Sequence, residues 1–64
     1  MEMNKYIILY SKLNNKQKSF INNIDNVDIG KDNIFINNKA SDETFNKIIL
    51  YLFKERVLFY NFDI

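Results

Sequence analysis

The chain predicts a small α+β domain of order β-α-β-β-α-β, the ferredoxin-like split βαβ arrangement, with two helices on one face of an antiparallel sheet. Three observations carry that reading. Apolar, β-branched runs open and close the sequence, two helix-start signals lie between them, and one turn-rich segment separates two short aliphatic runs.

Residues Lys5 to Leu13 (KYIILYSKL) read as the first strand, apolar on both alternating faces through Tyr10. A strand apolar on both faces belongs in the middle of its sheet. Asn14 and Gln17 have the spacing of a capping box, and Phe20, Ile21 and Ile24 follow at one-face helical spacing. The first helix is therefore expected from about Asn15 to Ile24. Val27-Asp28-Ile29 and Ile34-Phe35-Ile36 flank Gly30-Lys31-Asp32-Asn33 as a hairpin. Pairing Ile29 with Ile34 sets Val27 opposite Ile36, gathers the four aliphatics on one face and leaves Phe35 on the other. Gly30 and Asn33 are the residues best suited to a positive φ in the loop.

For the second helix, Ser41 is the expected N-cap, and Asp42 and Glu43 sit where the helix dipole favours negative charge. Phe45, Ile48, Ile49, Leu52 and Phe53 form an apolar stripe at i, i+3, i+4, i+7 and i+8, and Ile48, Ile49, Leu52 and Phe53 are expected to be buried. Val57 to Phe62 reads as the closing strand. Residues 1–64 form one domain, with no linker or repeat.

A chain of 64 residues has room for one thin core, since a domain of this size buries only about 60% of its unfolded surface. The apolar share is 47%, with six Phe and four Tyr, which argues against disorder. With no Cys and no His, neither a disulfide nor a structural zinc site can form. Packing must carry the stability alone. Formal charge is +1 but uneven: the segment up to Ile24, Glu2 included, is about +3, and the next, to Phe45, about −3. The longest apolar runs fall far short of the roughly 20 residues of a spanning helix, and no signal-peptide pattern opens the chain. A cytoplasmic location is expected. Lys outnumbers Arg eight to one, and Asn, Ile, Phe and Tyr are heavily used, so the codons point to a low-GC bacterium or one of its mobile elements.

Nucleophilic and acid–base catalysis draw most often on His or Cys, and Ser11, Ser19, Ser41 and Thr44 have no His to activate them. One glycine cannot build a phosphate-cradling loop. The chain therefore reads as a non-enzyme with no cofactor and no metal. Its informative surface is the sheet face away from the helices. If Ile7 and Leu9 point to the helices, Tyr6, Ile8 and Tyr10 point away, and Phe35 joins them from the hairpin. The last strand adds either Leu58, Tyr60 and Phe62 or Val57 and Phe59. Large exposed apolar patches mark interfaces, so Tyr6, Tyr10, Phe35 and Tyr60 are the candidate partner-binding residues. Aromatics on central strands can also stack bases, but Asn33-Ile34-Phe35-Ile36 lacks the basic, glycine and aromatic spacing of an RNA-binding strand, and Arg is nearly absent.

From Tyr6 to Phe62 the layout resembles the small C-terminal accessory domain of bacterial drug- and lantibiotic-exporting ABC ATPases. The segments that carry the resemblance are YIILYSK, SFINNIDNVDIGKDNIFIN and ASDETFNKIILYLFKERVLFYNF. It implies a strand and short helix, a hairpin, a capped helix and a final strand, with a role in subunit contact or regulation. The resemblance lies in hydrophobic pattern plus a cap, and this chain carries none of that family's ATP-binding core.

The leading expectation is a non-enzymatic protein-binding module, an inhibitor or adaptor of phage or mobile-element type that occupies the surface of a larger protein. The alternatives are the ABC accessory domain and a single-strand nucleic-acid binder. Self-association through the sheet face or an edge strand is the other expected partnership.

Overall fold

The computed structural model describes residues 5–63, so Glu2 and the side chain of Phe62 lie outside the described residues. Its elements are β1 (Lys5–Leu9), α1 (Asn15–Asn22), β2 (Val27–Ile29), β3 (Asn33–Ile36), α2 (Asp42–Lys54) and β4 (Phe59–Asp63). The four strands form one sheet of order β2-β3-β1-β4 with every neighbouring pair antiparallel. Element order and sheet order together are the split βαβ arrangement expected from the sequence.

Register decides which residues become core. Ile7 lies opposite Ile34, Ile29 opposite Ile34 on the other side of β3, and Val27 opposite Ile36. The hairpin pairing expected from the sequence is the one observed. Ile7, Leu9, Val27, Ile34 and Ile36 thus share one face, and they are buried with Leu13, Ile21, Ile48, Leu52 and Val57. Ile21 comes from α1 and Ile48 and Leu52 from α2, so both helices cover this face. Complete burial of an aliphatic side chain contributes about 1.5–3 kcal/mol.

Both helices start as their sequences dictate. The Asn14 side chain accepts from the Gln17 backbone N–H at 2.8 Å, and the Asn14 backbone N–H donates to Gln17 Oε1 at 2.9 Å. That closes the capping box and satisfies two of the donors every helix start leaves orphaned. Gln17 is buried, and its Nε2 also donates to Glu55 Oε1 at 3.1 Å, tying the start of α1 to the end of α2. Ser41 Oγ accepts from the Thr44 N–H at 3.3 Å, with Asp42 and Glu43 in the first turn and Lys54 in the last. Both charge signs complement the helix dipole.

Several expectations need correction. β1 ends at Leu9 rather than Leu13, although the Tyr10 N–H still donates to the Leu58 carbonyl at 2.9 Å and Leu13 turns back into the core. α1 ends at Asn22, with Asn23 as C-cap, rather than at Ile24. Phe20 is not core either. It lies flat on Tyr51 of α2, ring centroids 4.0 Å apart and planes 13° from parallel, sealing the outer seam between the helices. Partial burial there, with the Glu55 carboxylate nearby, raises the Tyr51 hydroxyl above the usual tyrosine pKa.

The end of α2 shows why β4 starts at Phe59 and not at Val57. Arg56 takes a positive φ of 57°, its N–H donates to Phe53 O at 3.1 Å, and the Val57 N–H donates to Leu52 O at 3.0 Å. This is a Schellman ending, with Arg where glycine is usual. Val57 packs into the core as part of that cap and not as strand. Among the described residues Asn26 also takes a positive φ, 66°, while neither Gly30 nor Asn33 has one.

The apolar stripe of α2 is only half used. Ile48 and Leu52 are fully buried, Ile49 is half-buried and Phe53 is 66% exposed. Ile48 and Leu52 belong to the core, Ile49 packs against it, and Phe53 meets Phe59 of β4 edge-to-face at 5.4 Å. Leu52→Ala is therefore expected to cost about 2–5 kcal/mol and Phe53→Ala about 1 kcal/mol or less, in denaturant unfolding. Equal costs would show that the whole stripe is core.

Candidate protein-binding face

The sheet face opposite the helices is built by the same register. Tyr6 lies opposite Phe35, and Ile8 lies opposite Asn33 on β3 and Tyr60 on β4. Tyr10 and Leu58 continue that register through the Tyr10 N–H to Leu58 O bond just beyond the strand ends. The four residues singled out from the sequence therefore meet on one surface, and of the two options for the last strand the structure selects the one containing Leu58 and Tyr60. Phe59 belongs to the other face, opposite the buried Leu9.

These side chains differ in how they are held. Tyr6 and Phe35 pack edge-to-face, centroids 6.5 Å apart and planes at 79°, and both are half-buried by that contact. The Asn33 Nδ2 donates to the Tyr6 hydroxyl, fixing the far end of the ring. Tyr10 and Tyr60 stand farther out, at 67% and 57% exposed. The face thus has a fixed centre of Tyr6, Ile8 and Phe35 and an open rim of Tyr10 and Tyr60. Asp28, opposite Phe35, sets one carboxylate on the β2 side.

Asn33 was absent from the sequence-derived site, and its role explains the glycine. A Cβ on Gly30 would overlap the Asn33 side-chain amide, and all three of its nearest neighbours would be Asn33 atoms. Gly30 is therefore needed for space, while its own N–H closes the hairpin on Asn33 O at 2.9 Å. The pairing expected for the hairpin already put Asn33 at the head of β3, but nothing in the sequence pointed its amide at Tyr6.

Hollows lie beside this face and away from it. One, about 430 Å³, runs between the end of α2 and β4, lined among others by Ile49, Phe53, Arg56, Leu58 and Phe59. The other, about 230 Å³, is bordered by Lys12, Lys18, Lys31 and Asp32. Among the described residues no three acidic side chains gather into a metal-holding group, and no helix is long and apolar enough to cross a membrane. No family model matches the chain, and no curated protein or solved structure matches it.

The Gly30–Asn33–Tyr6 arrangement predicts a change of sign. Alone, Gly30→Ala is expected to be destabilising, because it displaces the Asn33 amide from the Tyr6 hydroxyl at a cost of about 0.5–1.5 kcal/mol, offset in part by unfolded-state entropy. In an Asn33→Ala background the same change should stabilise by about 0.4–1 kcal/mol. Denaturant melts of the four proteins in the cycle check this, and identical effects in both backgrounds would break the link between the three residues.

Proposed function

We propose that the protein is a non-enzymatic protein-binding module that seats the Tyr6–Phe35 sheet face on a larger protein, acting as an inhibitor or adaptor by occupying that partner's surface. One observation carries the reading: Tyr6, Ile8, Tyr10, Phe35 and Tyr60 occupy a sheet face over which neither helix packs, while the opposite face alone supplies the core. Contiguous apolar surface of this kind is rare on a protein that works alone. Tyrosine suits such a face, because its ring adds apolar area with only two side-chain torsions to order and its hydroxyl keeps a hydrogen bond. The Tyr6–Phe35 pair is already held in place, so less freedom is lost on docking.

The charge of the face favours protein over nucleic acid. Among its described strand positions none is Lys or Arg, and the ionic one is Asp28. Lys5, the cation nearest in sequence, lies instead over the Phe45 ring of α2, with its ammonium 4.6 Å from the ring centroid. A single-strand groove needs cations interleaved with its aromatics to follow the phosphates. The residue usage that points to low-GC codons supports the mobile-element setting of this reading.

Once a partner is captured from a low-GC bacterial lysate, Tyr10→Ala and Phe35→Ala should each weaken binding by about 1–2 kcal/mol or more. Titration calorimetry measures this, and both variants should lose less folding stability than Leu52→Ala. Chemical-shift changes confined to Lys12, Lys16 and Lys18, with the aromatics silent, would move the interface to α1 and refute the proposal.

A further inference from the structure

We infer that the chain also pairs with a second copy of itself, antiparallel along β4 about a two-fold axis normal to the sheet. This surface adjoins the face proposed above and shares Leu58 and Tyr60 with its rim; protection at the β4 amides tests it apart from that face. The sheet has two edges, and they are built differently. β2 has three residues and carries Asp28 at its middle, so it is short and charged. β4 has five, and its sequence FYNFD contains no Lys and no Pro, with its only charge at the last position. Exposed edges are normally blunted by brevity, charge, proline or a bulge. β2 has two of these protections, and β4 is left open along its length.

The flank of β4 is apolar as well. Phe53 and Leu58 are each 66% exposed, and the 430 Å³ groove wraps the strand, lined by Phe53 and Phe59 from the helical side and by Leu58 and Tyr60 from the other. A two-fold axis normal to the sheet keeps both helical layers on the same side, so groove faces groove across the pair. Symmetry sets the direction. A two-fold axis normal to the sheet makes the new pair antiparallel, like every neighbouring pair already in the sheet. A net charge of +1 per chain opposes association little.

Area sets the strength. Phe53, Leu58 and Tyr60 together expose on the order of 350 Å², and the edge backbone raises the buried surface to roughly 500 Å² per copy. A pair then buries about 1,000 Å², at the lower limit for a specific interface, which corresponds to a weak, closed, isologous dimer. The joined sheet would run eight strands and set two Tyr60 residues near the axis, doubling the aromatic face.

Sedimentation equilibrium of the whole chain should show twice the single-chain mass at high concentration, with a Kd between about 1 µM and 1 mM. Phe53→Lys combined with Leu58→Lys, both at exposed positions, should raise that Kd by about tenfold or more while leaving the circular dichroism spectrum unchanged. In the unaltered protein, hydrogen exchange should slow with concentration at β4 amides and not at β2 amides, which decides the matter even if the double variant fails to fold. A monomer up to about 1 mM would overturn the inference. So would an unchanged Kd in the folded double variant, or concentration-dependent protection at Tyr6, Ile8 and Phe35 instead of β4.

Discussion

The contact between Ile7 of β1 and Ile34 of β3 organises everything else. Both side chains are fully buried, they lie directly opposite each other, and the helices' own buried residues, Ile21, Ile48 and Leu52, close over them. Because β1 is flanked by β3 and β4, its register fixes both neighbours at once. Slipping β1 by one residue would turn Tyr6 and Ile8 inward and Ile7 and Leu9 outward, exchanging core for surface. A core this thin has no second layer to compensate. The same constraint creates the aromatic face, since committing Ile7 and Leu9 to the helices commits Tyr6, Ile8 and Tyr10 to the other side.

Much of this was legible in the chain because it depends on period and pairing. Two-residue alternation in Tyr6–Tyr10, the Val27/Ile29 and Ile34/Ile36 symmetry about the loop, the Asn14–Gln17 box and the Ser41 cap each specify geometry locally. The four candidate residues met on one face for that reason. Other features depend on what lies beyond a residue's own element. The stripe of α2 gives a direction but not the extent of what lies beneath it, so Phe53, expected inside, is instead largely exposed beside Phe59 of β4. Glycine has two uses, freedom of φ and absence of a Cβ, and composition alone could not show that Gly30 serves the second. Arg56 at positive φ was hidden by its side chain: with no glycine after α2, the residues ending the helix looked like the beginning of a strand.

The polar contacts are few and placed at seams. Gln17 joins the start of α1 to Glu55 at the end of α2, Asn33 clamps Tyr6 from the hairpin, and Ser11 Oγ accepts from the Leu58 N–H at 3.3 Å. Among the described residues every buried side-chain polar atom has a partner, so the core gives up nothing to unsatisfied groups. The Gln17–Glu55 bond joins the two helices, while the other two reinforce strand pairs that the sheet already joins. The aromatic face stays outside the core, with Tyr10 and Tyr60 largely exposed.

The central claim is that this face is open in the free protein, and accessibility to a soluble paramagnetic probe measures it directly. In dilute solution, ring protons of Tyr10 and Tyr60 should broaden strongly, those of Tyr6 and Phe35 less, and the methyls of Ile7, Ile48 and Leu52 hardly at all. Tyr10 and Tyr60 as protected as the Ile48 methyls would mean that the face is already covered, and would contradict the account.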